Sequence, residues 1–226
     1  MAKSTTFAND LLKLIYNATP IGNLADNAVT APLTSIFCAL HSADPGVGGT
    51  QSTNEVTGAT GYARVAVLRT TGGFTVTGNS VSPFAAIAFA AITAGVASAT
   101  FFSFGSLASG AGKIFHSGPL GSNLGPFTAI AATDAITIPG LAGVAVNDNI
   151  AFFAAVGSTL PTGITEGVVY FVKTVAGNDI TIAATSGGAT IDITAAGDGT
   201  AFRVTPIALA AGVTPSLLTT TAVIEL

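Results

Sequence analysis

The side chains of this chain that could do covalent or acid–base chemistry are few: two histidines, His41 and His116, one cysteine, Cys38, and eleven acidic residues. A hydrolytic triad needs a nucleophile, a base and an orienting acid that can converge in space. His41 is followed by Asp44 in the turn Asp44-Pro45-Gly46, and His116 ends the run Lys113-Ile114-Phe115-His116. Neither is accompanied by a Gly-x-Ser-x-Gly elbow, and no ligand spacing around them supports a metal. Glycoside hydrolysis needs two facing carboxylates. Asp134, Asp148, Glu166, Asp179, Asp192 and Asp198 are instead isolated, mostly beside Gly, Asn or Thr in predicted turns. Asp192 and Asp198-Gly199 lack the donor spacing of a calcium loop, and neither Gly72-Gly73 nor Gly187-Gly188 leads into Gly-Lys-Ser/Thr as a phosphate loop would. Cys38 sits in Ile36-Phe37-Cys38-Ala39-Leu40, where a thiol serves as a small buried hydrophobe; a lone cysteine also excludes an internal disulfide. The expectation is a chain that is not an enzyme and carries no cofactor or metal.

Composition points elsewhere. Only 8% of the 226 residues are charged, against roughly 25% in an ordinary soluble domain. So uncharged an exterior is expected to be covered by partner subunits, because large apolar patches mark interaction sites. The net charge is −4 and the seven basic residues (Lys3, Lys13, Arg64, Arg69, Lys113, Lys173, Arg203) are scattered. Nucleic-acid binding needs clustered phosphate-neutralising cations, so it is not expected. No charge occurs from Thr70 through Gly112, and Phe84 to Phe102 reaches the length of a spanning helix. That window is dominated by Ala, Gly, Ser and Thr and broken at Thr93-Ala94-Gly95, which suits strands and turns; no membrane span is expected. Lys3, Asp10 and Lys13 in the first apolar stretch argue against a secretory signal.

The elements that must position any site are mainly strands. Thr5 to Asn17 is the helix candidate, with Phe7, Leu11, Leu14 and Ile15 spaced to share one face that docks on the β body or on a neighbouring subunit. Leu33 to Leu40 reads as a strand buried on both faces. His41 to Gly61 is a polar excursion with room for a contact role, and Ala63 to Arg69 alternates strictly. Across Gly72-Gly73, Phe74 to Thr77 suggests a hairpin. Further strands are expected at Ala86–Ile92, Ala97–Phe104, Lys113–Ser117 and Thr219–Leu226, giving a sandwich or jelly-roll-like body whose last strand returns to the early ones. Between Pro119 and about Thr205 a second group appears: Ala135–Ile138, Asn149–Ala154, Val168–Thr174, Asp179–Ala184, Thr190–Thr194 and Ala201–Val204. The alternation of Val168, Tyr170 and Val172 followed by the turn Ala176-Gly177-Asn178 makes a hairpin there. The organisation expected is a main β domain of residues 1–118 plus 205–226, with a small inserted β domain at 119–204.

Four stretches together carry a family likeness: Thr5-Thr6-Phe7-Ala8-Asn9-Asp10-Leu11-Leu12, Leu40-His41-Ser42-Ala43-Asp44-Pro45-Gly46, Gly61-Tyr62-Ala63-Arg64-Val65-Ala66-Val67, and Gly78-Asn79-Ser80-Val81-Ser82-Pro83. With the ending Gly212-Val213-Thr214-Pro215-Ser216-Leu217, they resemble a family of small tailed-phage and prophage virion proteins labelled tail-fibre-like or head-decorating. Gly163 to Tyr170, Asp179 to Ile182 and Gly187 to Ile193 resemble a small β module inserted in many phage surface proteins. The resemblance implies a station on the particle exterior after synthesis in the host cytoplasm. The expected function is capsid decoration or cementing against the major capsid protein and copies of itself. The alternative is a tail or head fibre-like adhesin that meets other virion proteins or the host surface. The contact candidates are Phe7, Leu11, Leu14, Ile15, His41, Asp44 and Pro45.

Overall fold

The computed structural model describes residues 5–21, 32–155 and 157–224, which form two compact units, residues 1–118 with 207–226 and residues 119–206.

The first unit opens with α1 (Thr5–Asn17). Ala8, Leu12 and Tyr16, one turn apart along one face, are 2%, 0% and 0% exposed, so this is the face that packs onto the strands. The stripe read from the sequence is therefore offset: Leu11, Leu14 and Ile15 are only half-buried, and the Phe7 side chain lies outside the described residues. Tyr16 decides the rotation. Its ring sits edge-on to Phe74 and Phe104, with centroids 4.7 and 5.9 Å away, and its hydroxyl meets His116 Nδ1 at 2.7 Å. Burying an aromatic of this size with its polar tip satisfied outweighs a row of leucines left half-wet.

The strands of this first leg are β1 (Ser35–His41), β2 (Ala59–Thr60), β3 (Val65–Leu68), β4 (Phe74–Thr77), β5 (Ser80–Pro83), β6 (Ile87–Ala88), β7 (Ala94–Ala99), β8 (Phe101–Gly105) and β9 (Ile114–Pro119). A four-stranded sheet runs in the order β3-β1-β8-β9. The Gly72-Gly73 hairpin expected between β3 and β4 does not form: β3 pairs with β1, and β4 pairs with β5 through the two-residue turn Gly78-Asn79. The chain instead curls at Thr70, whose carbonyl accepts from both Gly73 and Phe74 amides. A Cβ on Gly73 would stand 2.0 Å from the Leu68 carbonyl oxygen, so its glycine serves close approach and not a strand-to-strand turn. The single strand read over Ala97–Phe104 is two, β7 and β8, broken at Thr100; its amide and hydroxyl bond the carbonyls of His41 and Ser42. Ala86–Ile92 shrinks to β6, and the amides of Phe89 and Ile92 reach the carbonyls of Pro215 and Val213 as single bonds.

The second unit comprises β10 (Gly121–Ile130), β11 (Ala135–Thr137), β12 (Asn149–Phe153), β13 (Val169–Ala176), β14 (Asp179–Ala183) and β15 (Gly197–Val204). They close into an antiparallel barrel in the order β10-β11-β14-β13-β12-β15. Alternate residues point inward: Phe127, Ala129, Ile136, Ile150, Phe152, Tyr170, Val172, Ile180, Ile182 and Ala201 fill the interior with Ile138, Ile164 and Ile193. Thr190–Thr194, expected as a strand, contributes an isolated bridge from Thr190 to Ala183 and plugs the barrel with Ile193. Its place in the ladder is taken by β10, which its Gly-Ser-Asn-Leu-Gly-Pro opening disguises as a linker. That opening contains a bulge between Asn123 and Gly125, where Gly125 takes φ +98° and donates its amide to Asn123 Oδ1 at 2.7 Å. A bulge of this kind is where Pro126 can join a ladder without an N–H.

The chain then returns to the first unit as β16 (Ile207–Ala210), β17 (Ser216–Leu217) and β18 (Val223–Ile224), which pair antiparallel with β7, β6 and β5. The late strands thus do join the early ones; of the strand expected over Thr219–Leu226 the described residues give β18, and Glu225 and Leu226 lie outside them. The molecule is mainly β with one short N-terminal helix, as its sequence suggests. Among the described residues the strands of the first unit lie in four sheets of four, three, three and two strands.

Candidate functional site

The excursion from His41 to Gly61 is not a free loop. Ser42 N and Val56 N donate to the carbonyls of Asn54 and Leu40, and His41 bridges antiparallel to Glu55, so the returning segment lies along the end of β1. His41 itself is 0% exposed. Its Nδ1 lies 2.8 Å from the Thr53 carbonyl, which can only accept, so Nδ1 carries the proton; Nε2 then accepts from Ser103 Oγ on β8 at 2.8 Å. Pro45 is buried, while Asp44 is half-buried and accepts the Gly46 amide at 2.9 Å to close its turn. His41 and Pro45, two of the contact candidates, are therefore interior groups, because the segment folds back on β1.

The Tyr62 and Arg64 motif completes this lattice from the other side. Arg64 Nε and Nη2 each donate to one Glu55 carboxylate oxygen at 2.7 Å, a two-pronged pair whose side chains are 1% and 19% exposed. Its remaining donors reach the carbonyls of Leu107 and Gly110 at 3.0 and 2.8 Å. Tyr62 Oη accepts from Leu40 N at 2.8 Å. Gln51, 0% exposed, donates to the Phe37 carbonyl at 3.1 Å and accepts from Leu107 N at 3.0 Å. Sequence reasoning missed Gln51, Ser103 and Glu55; the one available signal is small neighbours, since a Cβ on Gly105 or Gly112 would stand 2.2 Å from the Gln51 side chain.

The order Ser103, His41, Thr53 carbonyl resembles nucleophile, base and orienter, but Ser103 and His41 are both 0% exposed, so the folded chain offers a substrate no access to them. Desolvation holds the His41 pKa below its ordinary value, against a smaller opposing pull from the Thr53 hydrogen bond. Burial pushes the Cys38 thiol and the Tyr62 and Tyr16 hydroxyls up, away from reactivity at neutral pH. In the barrel, Asp134, Asp148, Glu166 and Asp179 each accept a hydrogen bond from Ile193 N, Ala145 N, Ala154 N or Thr137 Oγ1, and Asp148 also pairs with Arg203 at 3.1 Å. Among the described residues no three His, Cys, Asp or Glu side chains group as a metal would require, and no helix is long and apolar enough to cross a membrane.

What the first unit does present outward is a strand edge. Arg69 N donates to Thr34 O, which by the alternation of an antiparallel ladder turns Val65 and Val67 toward β1 and the main-chain groups of Ala66 away from it. On β6 the bond from Phe89 N to Pro215 O sets Ile87 toward β17 and Ala88 outward. Between them runs an open groove of about 250 Å³ lined wholly by Val65–Leu68, Gly72, Gly73 and Ala85–Ala88. Leu68 in its lining and Phe84, next in sequence to Ala85, are 60% and 62% exposed. No charged residue lines it, so the usual protection of an edge strand is missing.

A mainly β chain with its polar groups turned inward and an uncharged strand edge turned outward has the features of a structural subunit. It belongs to the family described as Podophage GP4 fiber I protein gp80, whose model matches residues 2–141, more than half of its length. The match begins before α1 and runs on through β10 and β11 of the barrel. It makes the chain a phage virion protein of the fibre kind. No curated protein and no solved structure matches it.

Proposed function

We propose that this chain is a non-catalytic subunit of a fibre on the exterior of a podophage particle, assembled with copies of itself and attached to another virion protein, with the host surface as its target. The match of residues 2–141 to a fibre family carries this reading. Capsid cementing against the major capsid protein, the expectation drawn alongside the family likeness, yields to the fibre because the matching family is described as a fibre protein. The groove between β3 and β6 supports self-association: an edge with unpaired main-chain groups and small apolar walls can add a strand from a second copy, and covering it removes Leu68 and Phe84 from water.

Copy number on purified particles, by quantitative gel against the major capsid protein, tests the assignment. A fibre subunit is present in a small fraction of the capsid copy number, whereas near-stoichiometric amounts overturn it in favour of a cement. Light scattering of the isolated chain and of Leu68→Lys tests the edge. The wild type is an oligomer and the lysine variant dissociates; a monomeric wild type removes the self-association.

A further inference from the structure

The lattice around His41 holds a second property. Three elements meet on one buried imidazole: β1 through His41 itself, the returning segment through the Thr53 carbonyl, and β8 through Ser103 Oγ. The Thr53 carbonyl holds a proton on Nδ1, and on the neutral ring Nε2 accepts from the Ser103 hydroxyl. A proton added at Nε2 turns that atom into a donor, and the Ser103 hydroxyl, 0% exposed, must give up its hydrogen-bond acceptor.

Glu55, Arg64 and Asp44 are the charged groups that act on His41: both carboxylates favour the imidazolium and Arg64 opposes it, and burial outweighs them. Glu55 is already neutralised by the two-pronged contact with Arg64, whose guanidinium opposes a second cation nearby. Asp44 is half-buried and spends an oxygen on the Gly46 amide. A proton on His41 therefore adds a positive charge to a closed interior whose desolvation penalty the neighbouring carboxylates do not offset, and the penalty is relieved if the segment parts from β1 and lets water in.

We propose that His41, Thr53 and Ser103 form an acid-sensitive latch that holds the segment from Ser42 to Gly61 against β1 and β8 at neutral pH and releases it when the imidazole is protonated. The direction follows from linkage. A ring that is harder to protonate in the folded state than in the open one stabilises the closed segment above its ordinary pKa of about 6.5, and that stabilisation is lost as pH falls below this value. Release would uncover Pro45, Val56 and Ala59, now buried, and free the main-chain groups of the β1 end for another strand.

The test follows His41 by NMR, where it shares the histidine region with His116 alone, together with amide protection of residues 42–61, while the intact chain is taken from pH 7.5 to 4.5. Loss of protection in that segment is expected to coincide with His41 protonation, while the barrel amides stay protected. Ser103→Ala removes the donor that favours the neutral ring and is expected to move both events to higher pH together. His41→Asn keeps a donor for Thr53 and cannot titrate in this range; it is expected to hold the segment closed down to pH 4.5. The latch is overturned if the segment stays protected after His41 is protonated. It is equally overturned if the segment opens before the ring takes up its proton, or if Ser103→Ala leaves the midpoint where it was.

Discussion

The guanidinium of Arg69 donates to the main-chain carbonyl of Ile15 at 2.6 Å, across 54 residues of sequence. The same side chain also reaches the carbonyls of Leu14 and Leu33. The last carbonyls of a helix have no partner within it and carry the negative end of its dipole. α1 has no basic residue of its own in its last turn, so Arg69 supplies the cap from the end of β3 and fixes the helix where Tyr16 can enter the core.

Arg69→Ala is therefore expected to lower the stability of the first unit by about 1–2 kcal/mol, after allowing for the solvent that reaches the group. Arg69→Lys, keeping the charge but not the planar fork, should restore less than half of the loss. Urea unfolding followed by Tyr16 environment in near-ultraviolet circular dichroism measures both.

Breaking the Glu55–Arg64 pair from one side leaves an uncompensated buried charge. Glu55→Ala is expected to cost about 3–5 kcal/mol, whereas Glu55→Leu combined with Arg64→Met should cost clearly less than the sum of the single changes. A double-mutant cycle by chemical denaturation reads the difference directly.

Cys38 is fully enclosed in β1 and its thiolate is disfavoured by burial. A disulfide reagent at pH 8 should leave it unmodified in the folded chain and label it fully in denaturant. Rapid labelling without denaturant would contradict the packing of β1.

Gly121 enters β10 at φ +145°, and a Cβ there would stand 1.9 Å from the Arg203 carbonyl oxygen. Gly121→Ala should loosen the seam between β10 and β15, with a cost of about 2 kcal/mol or more. Amide exchange of Ser122, Asn123 and Phe202 should rise, while β13 and β14 keep their protection.

Much of the architecture could be read from residue patterns where local rules and tertiary packing agree. The hairpin of β13 and β14 follows from strict alternation interrupted by Ala176-Gly177-Asn178, with Gly177 at φ +63°. The helix over Thr5–Asn17 follows from its apolar spacing. Failures lie where a distant contact overrides the local signal. Helix rotation depends on Tyr16 meeting Phe74, Phe104 and His116, which no window of thirteen residues contains. β10 is hidden by the same Gly and Pro that let it bulge and close the barrel. In the candidate site, the motif residues His41, Tyr62 and Arg64 stand out in the sequence. Their inward direction does not, because polar residues in a glycine-rich stretch look solvated until Glu55, Gln51 and Ser103 are brought to them.

The barrel closes on itself at the place where the chain enters and leaves it. Gly121 and Val204 are Cα partners in one antiparallel register, so the polypeptide leaves the second unit within about one strand spacing of where it entered. A stretch of more than eighty residues can then be traded for a different one by recombination at two adjacent points, with no exposed ladder left behind.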